Sequence, residues 1–391
     1  MIILETNGGT AMRSSFETLC KELNLTSELT QTSQLTALEH WCKDHISQED
    51  RVTGDEHLKY RVYLDLASHY LDKFLAYLPA DLHQKVSQFG HLNAIQYAAE
   101  QGYDRFITAQ DGLSENLLNE GDRYGMTPLH KSAVQGYSFS VQALLSKGAD
   151  AQKLNARKQY PIHSALFVPM LYEDGLIQRK EMIFRTLLPH SPQALTAQDQ
   201  DGNTLLHQMA LHGFDKLMKE VLKTNPQLAF ISNNASHYPI HTAILNHQQT
   251  IIPLLLPIKG VSVLGDAEER VPLHYAARYG TDEIVQACCQ ATPDINIRDS
   301  EAKTPLLWAA AADNPDALMI LIQNGADTSL SDYQGFSILH YAVNEQNESL
   351  VRWIANNTNR DLIKQIDNQG HSPLFYANKL NNKTIEAILL N

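Results

Sequence analysis

The chain has 391 residues, of which 43% are hydrophobic and 19% charged, and this composition excludes a mostly disordered protein. A formal net charge of −13, with no run of Lys or Arg longer than two residues, argues against binding to nucleic acid, because phosphates need a basic face. No apolar stretch approaches the roughly 18 residues that cross a bilayer, and residues 1–13 lack the pattern of a secretory signal peptide. We therefore expect a cytoplasmic protein that has neither nucleic acid nor a membrane as a partner.

The first 87 residues follow no repeat, but their apolar side chains have helical spacing. Phe16, Leu19 and Leu23 form one such group, and others lie between residues 35 and 42 and between residues 58 and 78. This spacing predicts three or four helices over residues 1–87. The segment either caps the structure that follows it or forms a module with its own binding or catalytic role.

Cys42 and His45 in this segment have the spacing of metal ligands, and His40 and Cys20 are not far away in the sequence. A zinc site needs about four ligands, however, and no second closely spaced pair accompanies this one. We therefore interpret Cys42 as a buried residue on a helix, and the four cysteines of the chain are too few for a disulfide framework. A Cys–His nucleophile pair drawn from these residues is the alternative, and it would make the segment an enzyme.

The residues from Leu78 to Leu82 read Leu-Pro-Ala-Asp-Leu, which resembles the opening of an F-box, a helical segment that docks onto ubiquitin-ligase scaffolds. That resemblance would imply a ubiquitin-ligase adaptor. A repeat begins by residue 93, however, so that too little chain remains for the rest of an F-box module.

One short pattern recurs through the rest of the chain, and its clearest copy is Thr127-Pro128-Leu129-His130. The copies start at Thr127, Tyr160, Thr204, Tyr238, Val271, Thr304, Ser337 and Ser372. Successive starts are 33, 44, 34, 33, 33, 33 and 35 residues apart, and a weaker copy begins at Asn93. We therefore expect about nine repeats over residues 88–391, of which the first is degenerate and the last is a C-terminal cap.

Each copy has the features of a helix start followed by a closely packed helix. Pro in the first turn, as at Pro128, loses no intrahelical hydrogen bond, and the preceding Thr or Ser can cap the helix. A small residue that lets neighbouring helices approach follows shortly afterwards, at Ala133, Ala165, Ala243, Ala276, Ala309 and Ala342. Because one helix pair cannot bury its apolar face alone, the pairs are expected to stack into a continuous core.

These residues resemble the ankyrin repeat, whose unit of about 33 residues opens with a T-P-L-H-x-A signature. The resemblance implies an all-α solenoid of helix-turn-helix units with short β-hairpin loops. It also implies that the motif histidine braces the loop backbone by hydrogen bonds, at His130, His163, His207, His241, His274 and His340. Because these histidines occur once per repeat and do not converge, we expect no metal, no cofactor and no catalytic site in the array.

The step from Tyr160 to Thr204 contains about 11 residues more than a standard repeat. We predict that the surplus falls around Val168 to Lys180, between the first and second helices of that repeat. It is either an enlarged solvated turn or a contact with a partner, since insertions in repeat proteins map to loops that often bind.

In ankyrin proteins the partner usually lies along the concave side and touches the hairpin tips, and the resemblance carries this site to the matching positions here. The candidate partner-binding residues, which we call the tip residues, are Arg123, Tyr124, Met126, Arg157, Gln159, Gln200, Asp201, Asn234, His237, Glu268, Arg270, Glu301, Lys303, Tyr333, Gln334, Phe336, Gln369 and His371. Aromatic and Arg side chains are the usual hot spots of interfaces, so Arg123 with Tyr124 and Tyr333 with Phe336 are candidate anchor clusters. We expect a monomeric, non-enzymatic scaffold that binds one or more proteins.

The degenerate repeats, the Asn- and Gln-rich surface and the helical head are similar to ankyrin effectors that intracellular bacteria deliver into eukaryotic cells by type IV secretion. That resemblance would place the protein in the cytosol of a host cell and give it a role in virulence. The tail from Ile388 to Asn391 is compatible with a translocation signal, and equally with the end of a capping helix.

Overall fold

The computed structural model describes residues 94–110, 112–169 and 174–390. The predicted helices of residues 1–87, the Cys42 and His45 pair and the Leu78–Leu82 segment lie outside these ranges. Within the ranges, the chain is helical and contains no β-strand. Its contacts divide it into an N-terminal unit, Met1–Pro192, and a C-terminal unit, Gln193–Asn391, and we describe each by itself.

The N-terminal unit contains, in the residues that the structure describes, α1 (Ala94–Gln101), α2 (Asp104–Ala109), α3 (Glu115–Asn119), α4 (Pro128–Gln135), α5 (Ser138–Ser146), α6 (Pro161–Ala165) and α7 (Leu176–Leu187). First helices of successive repeats pack together, α1 on α4 and α4 on α6, and second helices do the same, α2 on α5 and α5 on α7. The weak copy of the motif around Ala94 thus forms a helix pair that packs on the next repeat.

The C-terminal unit continues the same pattern of paired helices. They are α8 (Leu205–His212), α9 (Asp215–Thr224), α10 (Pro239–Leu245), α11 (Ile252–Leu255), α12 (Pro272–Tyr279), α13 (Asp282–Ala291), α14 (Pro305–Ala311), α15 (Pro315–Gln323), α16 (Ile338–Asn344), α17 (Glu348–Asn357), α18 (Pro373–Lys379) and α19 (Lys383–Leu390). Each even-numbered helix is the first of its pair, and each from α8 to α16 packs on the first helix of the next pair. This architecture confirms the predicted all-α class.

Each first helix begins where the motif predicts. Pro128 and Pro305 occupy the first turns of α4 and α14, and the Thr127 and Thr304 hydroxyls accept hydrogen bonds from backbone N–H groups of that turn. The alanines expected to act as spacers are fully buried, at Ala133, Ala165, Ala243, Ala276, Ala309 and Ala342. The motif therefore sets both the start of the helix and the close approach of its neighbour.

The motif histidine connects the start of its own repeat to the hairpin loop of the next one. Nδ1 of His130 accepts the backbone N–H of Thr127 at 3.2 Å, so the ring proton is on Nε2, which donates to Gln159 O at 2.9 Å. The same bond to the next loop is made by His207 to His237 O at 2.9 Å, His274 to Lys303 O at 3.0 Å and His340 to His371 O at 3.1 Å. The predicted bracing bond is thus confirmed for His130, His207, His274 and His340. His163 and His241 accept the N–H at the start of their own repeats through Nδ1, but Nε2 of His241 makes no hydrogen bond to a described residue. Leu307 occupies the histidine position in its own repeat and cannot make the bond.

The hairpin loops are tight turns rather than pairs of strands. In the loop 199–203, the Asp199 N–H donates to Asn203 O and the Gly202 N–H donates to Asp199 O, both at 3.0 Å. The position of Gly202 has a positive φ in each loop, which glycine adopts freely, at Gly125, Gly202, Gly335 and Gly370, but which carries a side chain at Lys158, Ser236, Glu269 and Ala302. The predicted hairpin bonds are present, but no strand forms in the described part of the chain.

The surplus residues of the long repeat lie in the loop 166–175 between α6 and α7, of which residues 170–173 fall outside the described ranges. The prediction placed the surplus at Val168 to Lys180, but α7 already begins at Leu176. Its apolar residues Leu176, Ile183 and Leu187 have helical spacing and are buried, which draws residues 176–180 into the helix. The insertion is therefore shorter at its C-terminal end than predicted.

Lys180 is completely buried in α7. Its ammonium group donates to Val134 O at 2.7 Å, to Ala133 O at 3.1 Å and to Ser164 O at 3.3 Å. These carbonyls lie in the last turns of α4 and α6, where carbonyl groups lack intrahelical partners. Burial lowers the pKa of Lys180 to about 7. One side chain thus satisfies the ends of two neighbouring first helices.

We expect Lys180→Met, which keeps the length and apolar stem of the side chain, to lower the free energy of unfolding by about 1–3 kcal/mol, because buried helix-end carbonyls lose their donor. Chemical denaturation followed by circular dichroism measures this change. The exposed Lys153 of the same unit supplies a control, since Lys153→Met should leave stability within about 0.5 kcal/mol of the parent. Equal effects of the two substitutions would contradict the role of Lys180.

The buried histidines should make the fold sensitive to acid. Burial lowers the pKa of His130 to about 4 and that of His241 to about 3, from a usual 6.5. The unfolded chain therefore binds protons that the folded chain does not, so stability is fully present above pH 6.5 and is lost as the pH falls toward 4. For a histidine as buried as His130, the loss is on the order of 2–3 kcal/mol.

Thermal unfolding midpoints measured between pH 7.5 and about 4.5 should fall steadily below pH 6.5. His130→Gln, which cannot gain the proton, should have a lower midpoint at neutral pH and a shallower decline. His190→Gln, at an exposed position of the same unit, should keep the slope of the parent. A flat profile between pH 6.5 and 5 in the parent protein would show that the buried rings do not control stability.

Candidate protein-binding face

The hairpin loops are built around a recurring acidic or amide side chain. Oδ1 of Asp266 accepts the backbone N–H groups of Glu268 at 3.0 Å and Arg270 at 2.9 Å, and thereby closes the turn. Equivalent pairs of bonds are made by Asp122, Asn155, Asp199, Asn233, Asp299, Asp332 and Asp367. The backbone of each tip is therefore fixed by a residue that is not itself at the tip.

Backbone hydrogen bonds also join neighbouring tips. In the N-terminal unit, the Ala156 N–H donates to Tyr124 O at 2.9 Å. In the C-terminal unit, the corresponding pairs are Asn234 N–H to Asp201 O, Ser300 N–H to Glu268 O, Tyr333 N–H to Glu301 O and Asn368 N–H to Gln334 O, at 2.9–3.1 Å. The spacing between adjacent tips is thus set by main-chain atoms, which leaves the tip side chains free to vary.

The predicted tip residues fall into two sets. The exposed set is Arg123, Tyr124, Arg157, Gln200, Asp201, Asn234, Glu268, Glu301, Tyr333, Gln334 and Gln369. The half-buried set is Met126, Gln159, His237, Arg270, Lys303, Phe336 and His371. Every member of the second set immediately precedes a motif start, where the chain turns into the first helix. The exposed set offers side chains to a partner, whereas the half-buried set also packs within the array.

The two candidate anchor clusters differ for this reason. In the first, the Arg123 guanidinium lies 4.7 Å from the centre of the Tyr124 ring, and Tyr124 is 53% exposed. In the second, Tyr333 is 72% exposed, but Phe336 packs against Tyr341 and Tyr376 with ring centres 5.8 and 5.5 Å away. Tyr333 is therefore the accessible aromatic of the second cluster, and Phe336 supports the helices beside it.

We did not predict a second role of the loop aspartates. Their other carboxylate oxygen accepts a hydrogen bond from an aromatic residue of the following first helix, in the pairs Asp266–Tyr275 (2.5 Å), Asp299–Trp308 (2.8 Å), Asp332–Tyr341 (2.6 Å) and Asp367–Tyr376 (2.6 Å). In the N-terminal unit, the equivalent partner of Asp122 is the Lys131 ammonium at 3.0 Å. The sequence signal was the residue after the motif histidine position, which is aromatic in the last four repeats.

These hydrogen bonds affect the ionisation of Asp266 and Tyr275. Burial alone would raise the pKa of Asp266, but hydrogen bonds from Arg270 and Tyr275 and the Arg270 charge lower it to about 2. Burial and the bond to Asp266 in turn raise the pKa of Tyr275. Across the neutral pH range the Asp266 carboxylate therefore stays charged and the Tyr275 phenol stays neutral.

Over residues 94–110, 112–169 and 174–390, no three His, Cys, Asp or Glu side chains lie where they could together hold a metal ion. Cys288 and Cys289 are buried, and burial raises the pKa of Cys289 to about 11, which leaves its thiol protonated at neutral pH. No helix of these ranges is both long enough and apolar enough to cross a bilayer.

Known proteins share the repeat. A family model described as ankyrin repeats (3 copies) matches residues 258–332, and a model of a single ankyrin repeat matches residues 124–158. Ankyrin repeat protein nuc-2 of Neurospora crassa is 31% identical over 216 residues, which cover 55% of this chain and 19% of that protein. Residues 124–158 and 258–332 of this chain therefore consist of ankyrin repeats.

Two further similar proteins are a longer channel protein and an ankyrin repeat domain with a known crystal structure. The human transient receptor potential cation channel subfamily A member 1 is 23% identical over 366 residues, which cover 72% of this chain and 32% of the channel. The chain thus spans a third or less of these two relatives. The crystal structure of the ankyrin repeat domain of Bcl-3, of the IkappaB protein family, covers 49% of this chain and 86% of that domain with a TM-score of 0.45 and 22% identity.

The aspartate–aromatic pairs give a stability prediction. Tyr341→Phe removes the hydroxyl that donates to buried Asp332, so we expect the free energy of unfolding to fall by about 1–2 kcal/mol. Tyr279→Phe, at the exposed end of α12, is a matched control that should change it by less than about 0.5 kcal/mol. If urea denaturation gives the two variants the same stability, the hydroxyl bond does not support the loop.

Proposed function

We propose that this protein is a non-enzymatic scaffold that binds a partner protein through its exposed tip residues and the adjoining surface of its first helices, the concave face of an ankyrin array. Ankyrin repeats generally mediate protein–protein interaction. The observation that best supports the proposal is that the residues that hold the loops in place are different from the residues that are exposed at the tips. Buried histidines and aspartates hold the loop backbones, while the exposed tip side chains differ from repeat to repeat.

The proposal includes the organisation of the chain. Residues 88–391 form one recognition array of about nine repeats, which includes a degenerate first repeat and a C-terminal cap, and residues 1–87 are a separate helical segment. The protein acts as a monomer, with no nucleic acid as a partner. In this scheme, the loop 166–175, which joins the two helices of its repeat, is either an enlarged solvated turn or an additional contact with the partner.

Delivery into a eukaryotic cell by type IV secretion stays a prediction from resemblance, and it concerns where the scaffold works rather than how it binds. The relatives compared here are eukaryotic, from Neurospora crassa and human. A reporter fused to the full chain, expressed in a bacterium with and without a functional type IV system, would measure delivery directly.

The binding proposal is tested by affinity capture of partners from eukaryotic cell lysate on the full chain, followed by mass spectrometry and measurement of the affinity for the captured partner. We expect Tyr333→Ala to weaken that affinity by tenfold or more, about 1.4 kcal/mol, because an exposed aromatic tip is a typical hot spot. The variant should keep the thermal midpoint of the parent, since Tyr333 packs little.

Phe139 supplies the control for this experiment. It is 71% exposed like Tyr333 but lies on a second helix, α5, away from the tips. Phe139→Ala should leave the affinity unchanged. A partner that is held as tightly by Tyr124→Ala and Tyr333→Ala as by the parent, or that is lost only when residues 1–87 are removed, would show that the tips are not the binding face.

A further inference from the structure

Trp308, on the first helix α14, lies among three cations. The Arg278 guanidinium lies 5.0 Å from the centre of the indole, the Arg270 guanidinium 5.8 Å and the Lys303 ammonium 5.9 Å. A small cavity opens beside the ring and is lined by Arg270, His274, Tyr275, Tyr279 and Trp308, which we call the Trp308 cavity. It lies within the C-terminal unit, directly next to the tip residues Arg270 and Lys303.

Two of the three cations already have carboxylate partners. Arg270 pairs with Asp266 and Glu268, both at 2.5 Å, and Lys303 pairs with Glu301 at 2.5 Å. Arg278 is exposed, stacks on Tyr279 as well as Trp308, and pairs with no carboxylate of the described residues. Arg278 is therefore the cation of this site whose charge remains available to a ligand.

The remaining polar groups of the cavity restrict the ligand further. Both ring nitrogens of His274 are engaged, Nδ1 by the Val271 N–H and Nε2 by Lys303 O, and burial lowers the pKa of His274, so the ring is neutral. Arg270 uses Nε and one terminal nitrogen for Asp266 and Glu268, whereas Nη1 makes no hydrogen bond to a described residue. The donors left for an incoming group thus belong to two guanidinium groups, that of Arg270, which lines the cavity, and that of Arg278, which lies over the Trp308 ring beside it.

Guanidinium donors with aromatic walls favour a planar anion. A carboxylate matches the fork of N–H groups on an arginine, and charge-assisted bonds of this kind are stronger than neutral ones. A cationic ligand is disfavoured, because the face of Trp308 is already in contact with cations of the protein. A polyanion such as a nucleic acid is disfavoured by the net charge of −13 and by the nearby Glu268 and Glu301.

We propose that the Trp308 cavity receives the carboxylate side chain of an Asp or Glu in an extended segment of the partner protein. Arg278 and Nη1 of Arg270 hold the carboxylate, and an apolar neighbour in the same segment packs against the exposed face of Tyr279. This inference rests on the proposed function, because it names the chemistry of the partner at one position of the same face.

The test is a random-peptide phage library selected on the full-length protein, followed by synthesis of the best peptide with a fluorescent label and measurement of its Kd by anisotropy. We expect the selected peptides to share an Asp or Glu beside an apolar residue. Changing that acidic residue to its amide should weaken binding by tenfold or more, and Arg278→Gln should weaken it equally. Together the two changes should cost little more than either alone, which identifies a direct contact.

Two variants separate this contact from other effects. Arg278→Lys, which keeps the charge but not the planar fork, should restore part of the affinity. Arg352→Gln, an exposed arginine on the second helix α17, should leave Kd unchanged. Because Arg278 is exposed, circular dichroism and thermal midpoints of all the variants should match the parent.

Other outcomes overturn the inference. Selected peptides without a shared acidic residue, or with a Kd indifferent to Arg278→Gln, would mean that the partner does not place a carboxylate here, while the proposed scaffold function stands. Selection of no peptide would also reject the extended segment, and the Tyr333→Ala affinity would then decide the proposed function separately. Displacement of the peptide by a mixed-sequence single-stranded oligonucleotide, with loss on Arg278→Gln, would assign the site to nucleic acid instead.

Discussion

A single hydrogen-bonded ring, the motif histidine, connects the repeats of this chain. In its neutral form with the proton on Nε2, the ring accepts the backbone N–H before its own helix and donates to a carbonyl in the next loop, as His274 does from Val271 to Lys303. A charged ring could not accept the first bond, because both of its nitrogens would carry protons. Burial also disfavours the charged form. The hydrogen-bond geometry and the burial therefore both require a neutral ring. Where it forms, this bridge ties the start of one first helix to the loop that follows in the next repeat.

The loop aspartates complete the framework from the other side. Asp332 closes its own turn through Oδ1 and accepts the Tyr341 hydroxyl through Oδ2, so one carboxylate joins the loop to the helix that follows it. None of these bonds of Asp332 involves the side chain of a tip residue. A surface of this design tolerates changes at Tyr333 or Glu301 without loss of fold, which is the physical condition for a repeat protein to acquire new partners.

The sequence predicted those features that a repeat period makes visible. Helix starts at Pro128 and Pro305, the alanine spacers and the exposure of Tyr124 and Tyr333 all follow from positions compared across repeats. The bond between Asp299 and Trp308 was not predicted, because it joins a loop to a helix, and the aromatic residue that recurs after the motif histidine position does not by itself identify its partner. Phe336 was assigned to the surface, but its packing depends on Tyr376 of the next repeat. The start of α7 at Leu176 depended in the same way on burial against neighbouring helices.

The repeat that has Leu307 in place of the motif histidine should differ from its neighbours in how fast the next loop moves. Leu307 cannot donate to the loop 332–336, so that loop lacks the side-chain bridge that holds the loops following His207, His274 and His340. Its backbone is held by its own turn, by the Tyr333 N–H bond to Glu301 O and by bonds from Asn368 to the carbonyls of Gln334 and Tyr333. Fewer bonds must break to open it, so its amides should exchange with solvent deuterium sooner than those of the bridged loops. Tyr333, the most exposed aromatic among the tip residues, thus sits on a loop without the histidine bridge, and this loop can adjust when a partner arrives.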